Sequence, residues 1–191
     1  PMKPQKVYAE LRKVMPRDAI IALDAGLAPN YGQDRLNYYE PRSLITSLDL
    51  GGLGFSFPAA IGAKFAAPDR PVINFNGDGG FLFNAQEFST AVQYNLPLVT
   101  VIMNNGIWGS EKAYQRYAFD ERYVGADVTN PRFDKYAEIF GGAGFYVERP
   151  EDIGNALIEA LNCGKPSIIE IPTDPDEMPR PARLNEVQGP T

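Results

Sequence analysis

Two short clusters of this 191-residue chain carry residue types that could hold a charged ligand. Gly77-Asp78-Gly79-Gly80 follows the apolar run Val72-Ile73-Asn74-Phe75. Asn104-Asn105 follows a second run, Leu98-Val99-Thr100-Val101-Ile102-Met103, with 24 residues between Gly79 and Asn104. Both runs read as buried strands, so both clusters fall at carboxyl ends of strands, where open α/β sheets bind ligands. Asp78 offers a hard carboxylate oxygen and Asn105 a neutral amide oxygen. Such an oxygen-only set suits Mg²⁺, which completes its octahedron with phosphate oxygens and water. The glycines leave backbone N–H groups free to approach those phosphates. The chemistry implied is a magnesium-diphosphate site. A chance glycine turn beside an Asn pair is the alternative, and the spacing and strand context argue against it.

The chain contains no histidine. That excludes His-based triads, imidazole metal sites and a histidine general base on this chain. Acid–base chemistry must come from carboxylates, from a cofactor, or from another chain or domain.

The elements that must position these residues are legible from periodicity. Lys3 to Met15 has a helical period ended by Pro16, and Ala19 to Leu23 reads as a short buried strand. Pro29 to Asp49 is expected to be a long functional loop. Pro58 to Ala67 reads as a helix with Pro in its first turn. Strands are expected at 71–76, 98–103, 145–147 and 167–171. Helices are expected at 84–95, 108–119, 132–140 (closed by Gly141-Gly142) and 151–161. Strand–helix alternation at this pitch predicts an α/β fold, a three-layer sandwich of a mainly parallel sheet with helices on both faces. The length suits one domain, assigned to residues 1–174. The proline-rich remainder, 175–191, is expected to be an extended or disordered tail.

Composition narrows the function. The net charge is −6, without a basic run or an aromatic-basic stripe, so nucleic acid is not an expected partner. No stretch reaches the ~18 uninterrupted apolar residues of a membrane span. The start, Pro1-Met2-Lys3-Pro4-Gln5-Lys6, does not read as a signal peptide. Cys163 is the only cysteine, read as structural, and a cytoplasmic setting is expected.

A second glycine-rich segment, Leu50-Gly51-Gly52-Leu53-Gly54-Phe55-Ser56-Phe57-Pro58, either packs a helix on the sheet or lets the backbone approach a flat ligand. Taken with it, GDG followed some two dozen residues later by NN resembles the thiamine-diphosphate signature. The Leu50–Ala63 segment resembles the aminopyrimidine-binding loop of the acetolactate synthase and pyruvate decarboxylase superfamily. The terminal segments Phe140–Phe145 and Pro166–Ile171 also look like that superfamily, at structural positions, and the resemblance covers nearly all of residues 3–174.

The resemblance implies thiamine diphosphate and Mg²⁺ as cofactors. It implies Asp78, Asn105 and the Ile107 carbonyl as metal ligands. It places the diphosphate against Gly77, Gly79, Gly80 and the Gly26-Leu27-Ala28 turn. Gly51 and Gly52 would meet the aminopyrimidine, and Leu53 would be the apolar wedge under the cofactor. Asp24 belongs to the diphosphate turn or simply forms it. Acetolactate synthases tend to carry Gln and His where this chain has Leu27 and Ala28. Trp108-Gly109 is closer to benzaldehyde lyase and sulfoacetaldehyde acetyltransferase. Trp108 lines a substrate channel or fills core. Lys112, Arg116 and Arg122 contact an anionic substrate or a CoA-like group, or are solvated helix charges. Glu87 reads as a helix N-terminal charge.

The function implied is cleavage or formation of C–C bonds next to a carbonyl in a small 2-keto acid or aldehyde, with the cofactor as electron sink. The glutamate that protonates N1′ of the aminopyrimidine is expected on a separate pyrimidine-binding domain or subunit. The chain alone is therefore expected to be inactive, and the full enzyme a homodimer or homotetramer, with a middle FAD-binding domain in some relatives. The competing reading is a diphosphate-binding module or degenerate relative without chemistry. A Rossmann dinucleotide site is disfavoured, because no G-x-G-x-x-G follows the first strand.

Overall fold

The runs that are apolar on both faces form the centre of the sheet. Ile20–Leu23 (β1), Val72–Gly77 (β3), Val99–Asn104 (β4) and Ser167–Pro172 (β6) are buried almost throughout. The less buried runs Leu44–Thr46 (β2) and Ala143–Tyr146 (β5) are its edges. This burial pattern is what an all-parallel sheet covered on both sides requires. The computed structural model describes residues 1–47 and 50–178. Its six strands run parallel in the order β2-β1-β3-β4-β6-β5.

Side-chain alternation along the strands sorts the core into two layers. On one face Ile21, Leu23, Ile73, Phe75, Val101 and Ile169 pack under Pro4–Val14 (α1) and Ile153–Asn162 (α8). On the other, Ile20, Ala22, Val72, Ile102 and Ile168 pack under Ser56–Ala66 (α3), Asp78–Leu82 (α4), Phe88–Gln93 (α5) and Phe133–Ile139 (α7). Phe57, Phe81, Phe88 and Phe133 fill that second layer: Phe57 tilts against Phe81 and stacks on Phe88, and Phe133 meets Phe81 edge-on. The architecture is the α/β sandwich that the strand–helix alternation implies.

The order of strands decides where a ligand can enter. The connection leaving β1 reaches β2 on one side, while the connection leaving β3 reaches β4 on the other. The crevice between the carboxyl ends of β1 and β3 is thus a topological switch point. Leu23 pairs with Phe75, which sets Asp24 beside Asn76. Gly77 pairs with Met103, which brings the two chemical clusters to one level.

Two expectations need correction. The segment 29–49 is not an irregular loop: it begins inside helix Leu27–Arg35 (α2) and contains β2, while Leu48 and Asp49 lie outside the described residues. Its mixed Tyr, Asn, Gly and Arg content hides the helix, whose buried face is only Ala28, Pro29 and Gly32. Gly77-Asp78-Gly79-Gly80 is not a plain turn either. Gly77 ends β3 and Asp78 opens α4 directly. Of the tail, residues 179–191 lie outside the described residues; Met178 before them is buried against Ile107 and Ala113.

Candidate functional site

A cavity of about 630 Å³ opens at the switch point. Gly26, Leu27 and Ala28 line it after β1. Gly77, Asp78, Gly79 and Gly80 line it after β3. Asn105, Ile107 and Trp108 line it after β4, and Gly51 and Leu53 come from the glycine-rich loop. Of the residues expected to touch the cofactor, Gly52 alone does not line this cavity; its carbonyl accepts a hydrogen bond from Ser47 Oγ at 3.3 Å. The cavity also collects residues that the sequence did not single out, among them Asn30, Gln33, Glu111 and Tyr114.

The glycines differ in what they permit. A Cβ on Gly51 or Gly77 would meet nothing within 4 Å, so the backbone there faces open space. A Cβ on Gly79 would come within 2.6 Å of the Trp108 ring, and one on Gly80 within 2.6 Å of Asp24 Oδ2. Gly79 and Gly80 are therefore needed for packing, whatever they bind. The Leu53 side chain stands over both glycine turns, with Cδ2 at 3.9 Å from a Cβ built on Gly26 and 3.7 Å from one on Gly80.

Asp24 is more than a turn-former. Fully buried, it accepts hydrogen bonds from Gly54 N–H at 3.0 Å, Ser56 N–H at 3.4 Å and Asn76 Nδ2 at 2.7 Å. It pins the glycine-rich loop to β3, the strand that leads into Asp78. Burial pushes its carboxyl above the usual range, against the pull of hydrogen bonds from Gly54, Ala25, Ser56 and Asn76. The sign follows from the direction: charging Asp24 costs stability above the raised folded-state value, and that cost is relieved as pH falls through it. Asp24→Asn removes the charge but cannot serve three donors, since its NH₂ must face one of them. We expect a loss of about 1–3 kcal/mol at neutral pH. Chemical denaturation at neutral and acidic pH would check this, with the gap between variant and wild type widening on the acid side.

Asp78 is buried at the first position of α4. Its Oδ2 accepts from Gly106 N–H at 2.9 Å and from Asn130 Nδ2 at 2.6 Å. Burial raises its carboxyl above the usual range, opposed first by the hydrogen bond from Asn130. Asn105 Oδ1 is held near the Ile107 N–H at 3.3 Å. Asn130 lies 25 residues beyond Asn105, past helix Gly109–Ala118 (α6), and no local spacing rule would have linked it to Asp78.

Trp108 stands at the edge of the cavity and is not a core residue. Half-buried, it packs on Gly79, meets Phe83 edge-on at 5.9 Å and lines the cavity. The three cations considered for substrate contact do not line it. Lys112 pairs with Asp127 at 2.9 Å, Arg116 lies 4.0 Å from Glu121, and Arg122 Nε donates to the Phe119 carbonyl. Glu87 accepts a hydrogen bond from Thr90 Oγ1 at the start of α5, a helix-end role. No helix among the described residues is long and apolar enough to cross a membrane.

The donor set fits a magnesium-bound diphosphate: a buried carboxylate, an amide oxygen, and bare glycine backbone facing open space in one cavity. Comparison with known proteins supports a thiamine-diphosphate cofactor. Residues 24–171 match the family described as "Thiamine pyrophosphate enzyme, C-terminal TPP binding domain". A sulfoacetaldehyde acetyltransferase of Castellaniella defragrans is 34% identical over 97% of this chain and 33% of its own length. A probable acetolactate synthase large subunit of Methanococcus aeolicus is 36% identical over 98% of this chain and 33% of its own. The solved thiamine diphosphate-dependent 4-hydroxybenzoylformate decarboxylase of Rhodococcus jostii RHA1 superposes with a TM-score of 0.85 at 32% identity, over 92% of this chain and 33% of that one. The chain thus spans about a third of the length of these relatives. With the match covering every strand-end cluster of the cavity, the chain belongs to the family of C-terminal thiamine-pyrophosphate-binding domains of thiamine-pyrophosphate enzymes.

Proposed function

We propose that this chain holds thiamine diphosphate through Mg²⁺ within an acetolactate synthase-like enzyme that cleaves or forms C–C bonds beside a carbonyl. The observation that carries the reading is the convergence of Asp78, Asn105, Ile107 and the glycine backbone on one cavity at the switch point. Asp78, Asn105 and the Ile107 carbonyl hold the metal. The cation offsets the diphosphate charge in a chain whose own net charge is −6. Backbone N–H groups at Gly26–Ala28 and Gly79–Gly80 receive the phosphate oxygens. Leu53 supplies an apolar support between the two glycine turns and excludes water there. When bound, the cofactor supplies an electron sink for bonds adjacent to a carbonyl.

The N1′-protonating carboxylate comes from a pyrimidine-binding domain or subunit. An apolar rim supports such a partner: Leu50, Phe55, Leu82 and Phe83, on the glycine loop and α4, are all exposed. The substrate we propose is a small 2-keto acid or aldehyde, the assembly a homodimer or homotetramer, and the setting cytoplasmic. Relatives named as an acetyltransferase and as an acetolactate synthase leave the acceptor to be found by assay.

Trp108 is the only tryptophan of the chain and lies at the cavity, so its emission reports occupancy. Titration with thiamine diphosphate should change that emission only when Mg²⁺ is present, whether the partner domain is attached or added. An equal change in the presence of a chelator would sink the magnesium part of the reading. No change with the partner present would sink the cofactor site.

A further inference from the structure

Asn130 occupies a place that the site needs and that its motifs do not cover. Its Nδ2 donates to Asp78 Oδ2 at 2.6 Å and to Asn104 Oδ1 at 2.9 Å. Both partners are acceptors, so the reversed amide would set its carbonyl against two oxygens, and the orientation is fixed. Asn104 is itself fixed, because its Nδ2 donates to Glu170 Oε1 at 2.8 Å. Glu170 is buried, and its Oε2 accepts the Phe133 N–H at 2.8 Å and the Asp134 N–H at 3.3 Å. A chain of oriented groups therefore runs from the start of α7 to the Asp78 carboxylate. The backbone repeats the attachment: Val128 N–H donates to the Gly106 carbonyl at 2.8 Å, and Trp108 N–H to the Ala126 carbonyl at 2.7 Å.

We propose that Asn130 is a positioning residue that commits Asp78 Oδ2 and leaves Oδ1 to a single metal bond, biasing the site toward Mg²⁺ over Ca²⁺. The assignment rests on the magnesium reading above. Two donors, Asn130 Nδ2 and Gly106 N–H, converge on Oδ2 and occupy its lone pairs. A carboxylate held in this way ligates through one oxygen. That suits the strict octahedron of Mg²⁺, whereas Ca²⁺ accepts bidentate carboxylates and six to eight ligands. Freed of Asn130, Asp78 could turn and offer both oxygens.

The test is cofactor reconstitution of the protein, with its partner domain present, titrated with Mg²⁺ or Ca²⁺ in saturating thiamine diphosphate. Trp108 emission and calorimetry supply the readouts, compared between wild type and Asn130→Ala. For Mg²⁺ the half-saturation concentration should rise roughly tenfold or more, within the range for loss of an outer-shell partner. For Ca²⁺ it should move by less than about threefold, so the preference between the ions collapses. A merely structural role would weaken both ions equally, and an equal loss, or none, overturns the proposal. Thermal unfolding without metal checks that the variant folds; should it not, Asn130→Ser, which cannot reach both oxygens, carries the same expectation. A wild type that binds the cofactor equally without metal would instead refute the magnesium reading itself, and this assignment with it.

Discussion

Asp78→Ala is expected to abolish magnesium-dependent capture of thiamine diphosphate, raising the half-saturation concentration by more than about 100-fold. Loss of an outer-shell partner already costs about 10–100-fold, and Asp78 is the one carboxylate among the three proposed ligands. Mg²⁺ rarely binds without at least one carboxylate beside the phosphates. The same change should leave the metal-free fold nearly as stable as wild type. The variant orphans the Gly106 N–H and the Asn130 amide, but it also removes a carboxylate whose charged form burial disfavours. Calorimetric titration paired with thermal unfolding separates the two effects. A variant that still binds the cofactor in a magnesium-dependent way would show that the metal is held elsewhere.

The largest expected effect on stability lies away from the cavity. Gly144 sits in edge strand β5 directly beneath α7. A Cβ there would run into the Asp134 carbonyl oxygen and come within 2.7 Å of its carbon and 3.0 Å of its Cα. These are backbone atoms, so no rotamer change relieves the clash, and α7 must lift off the sheet. We expect Gly144→Ala to cost about 3 kcal/mol or more, the upper range for overpacking. In a domain of this size that is a fall in Tm of roughly 6–12 °C. Displacing α7 also pulls on Glu170, which anchors the network leading to Asp78. Metal affinity should therefore fall with stability. Gly62→Ala is the control. Gly62 is exposed in the middle of α3 with nothing within 4 Å of its added Cβ, so alanine should stabilise by about 0.5–1 kcal/mol. The two variants are readily compared in one thermal scan. Equal behaviour would mean that the β5–α7 contact is looser than the structure indicates.

Much of the site was legible in the sequence because its chemistry is local. Asp78 and Asn105 are recognisable as oxygen donors by residue type, and each lies within a few residues of a short apolar run that reads as a buried strand. The helices with a clear apolar face, α1 and α8, were legible for the same reason. Helix α2 was not, because its buried face of Ala28, Pro29 and Gly32 carries almost no hydrophobic contrast. The beginning of α4 was hidden by its glycines, which read as a turn although packing against Trp108 and Asp24 holds them helical.

What the sequence determined by itself was the kind of ligand: oxygen donors, bare backbone and no imidazole, a set that any fold would have to use in much the same way. What only the tertiary structure decided was which segments meet. Strand order depends on the side to which each crossover turns, and no window of residues encodes that. It places β1 beside β3, brings Asp24 to Gly54 and Asn76 across 30 and 52 residues, and carries Asn130 back 52 residues to Asp78. A buried polar group must find a partner wherever the packed chain supplies one. Its identity is therefore a property of the whole fold, whereas a ligand's identity is a property of the residue.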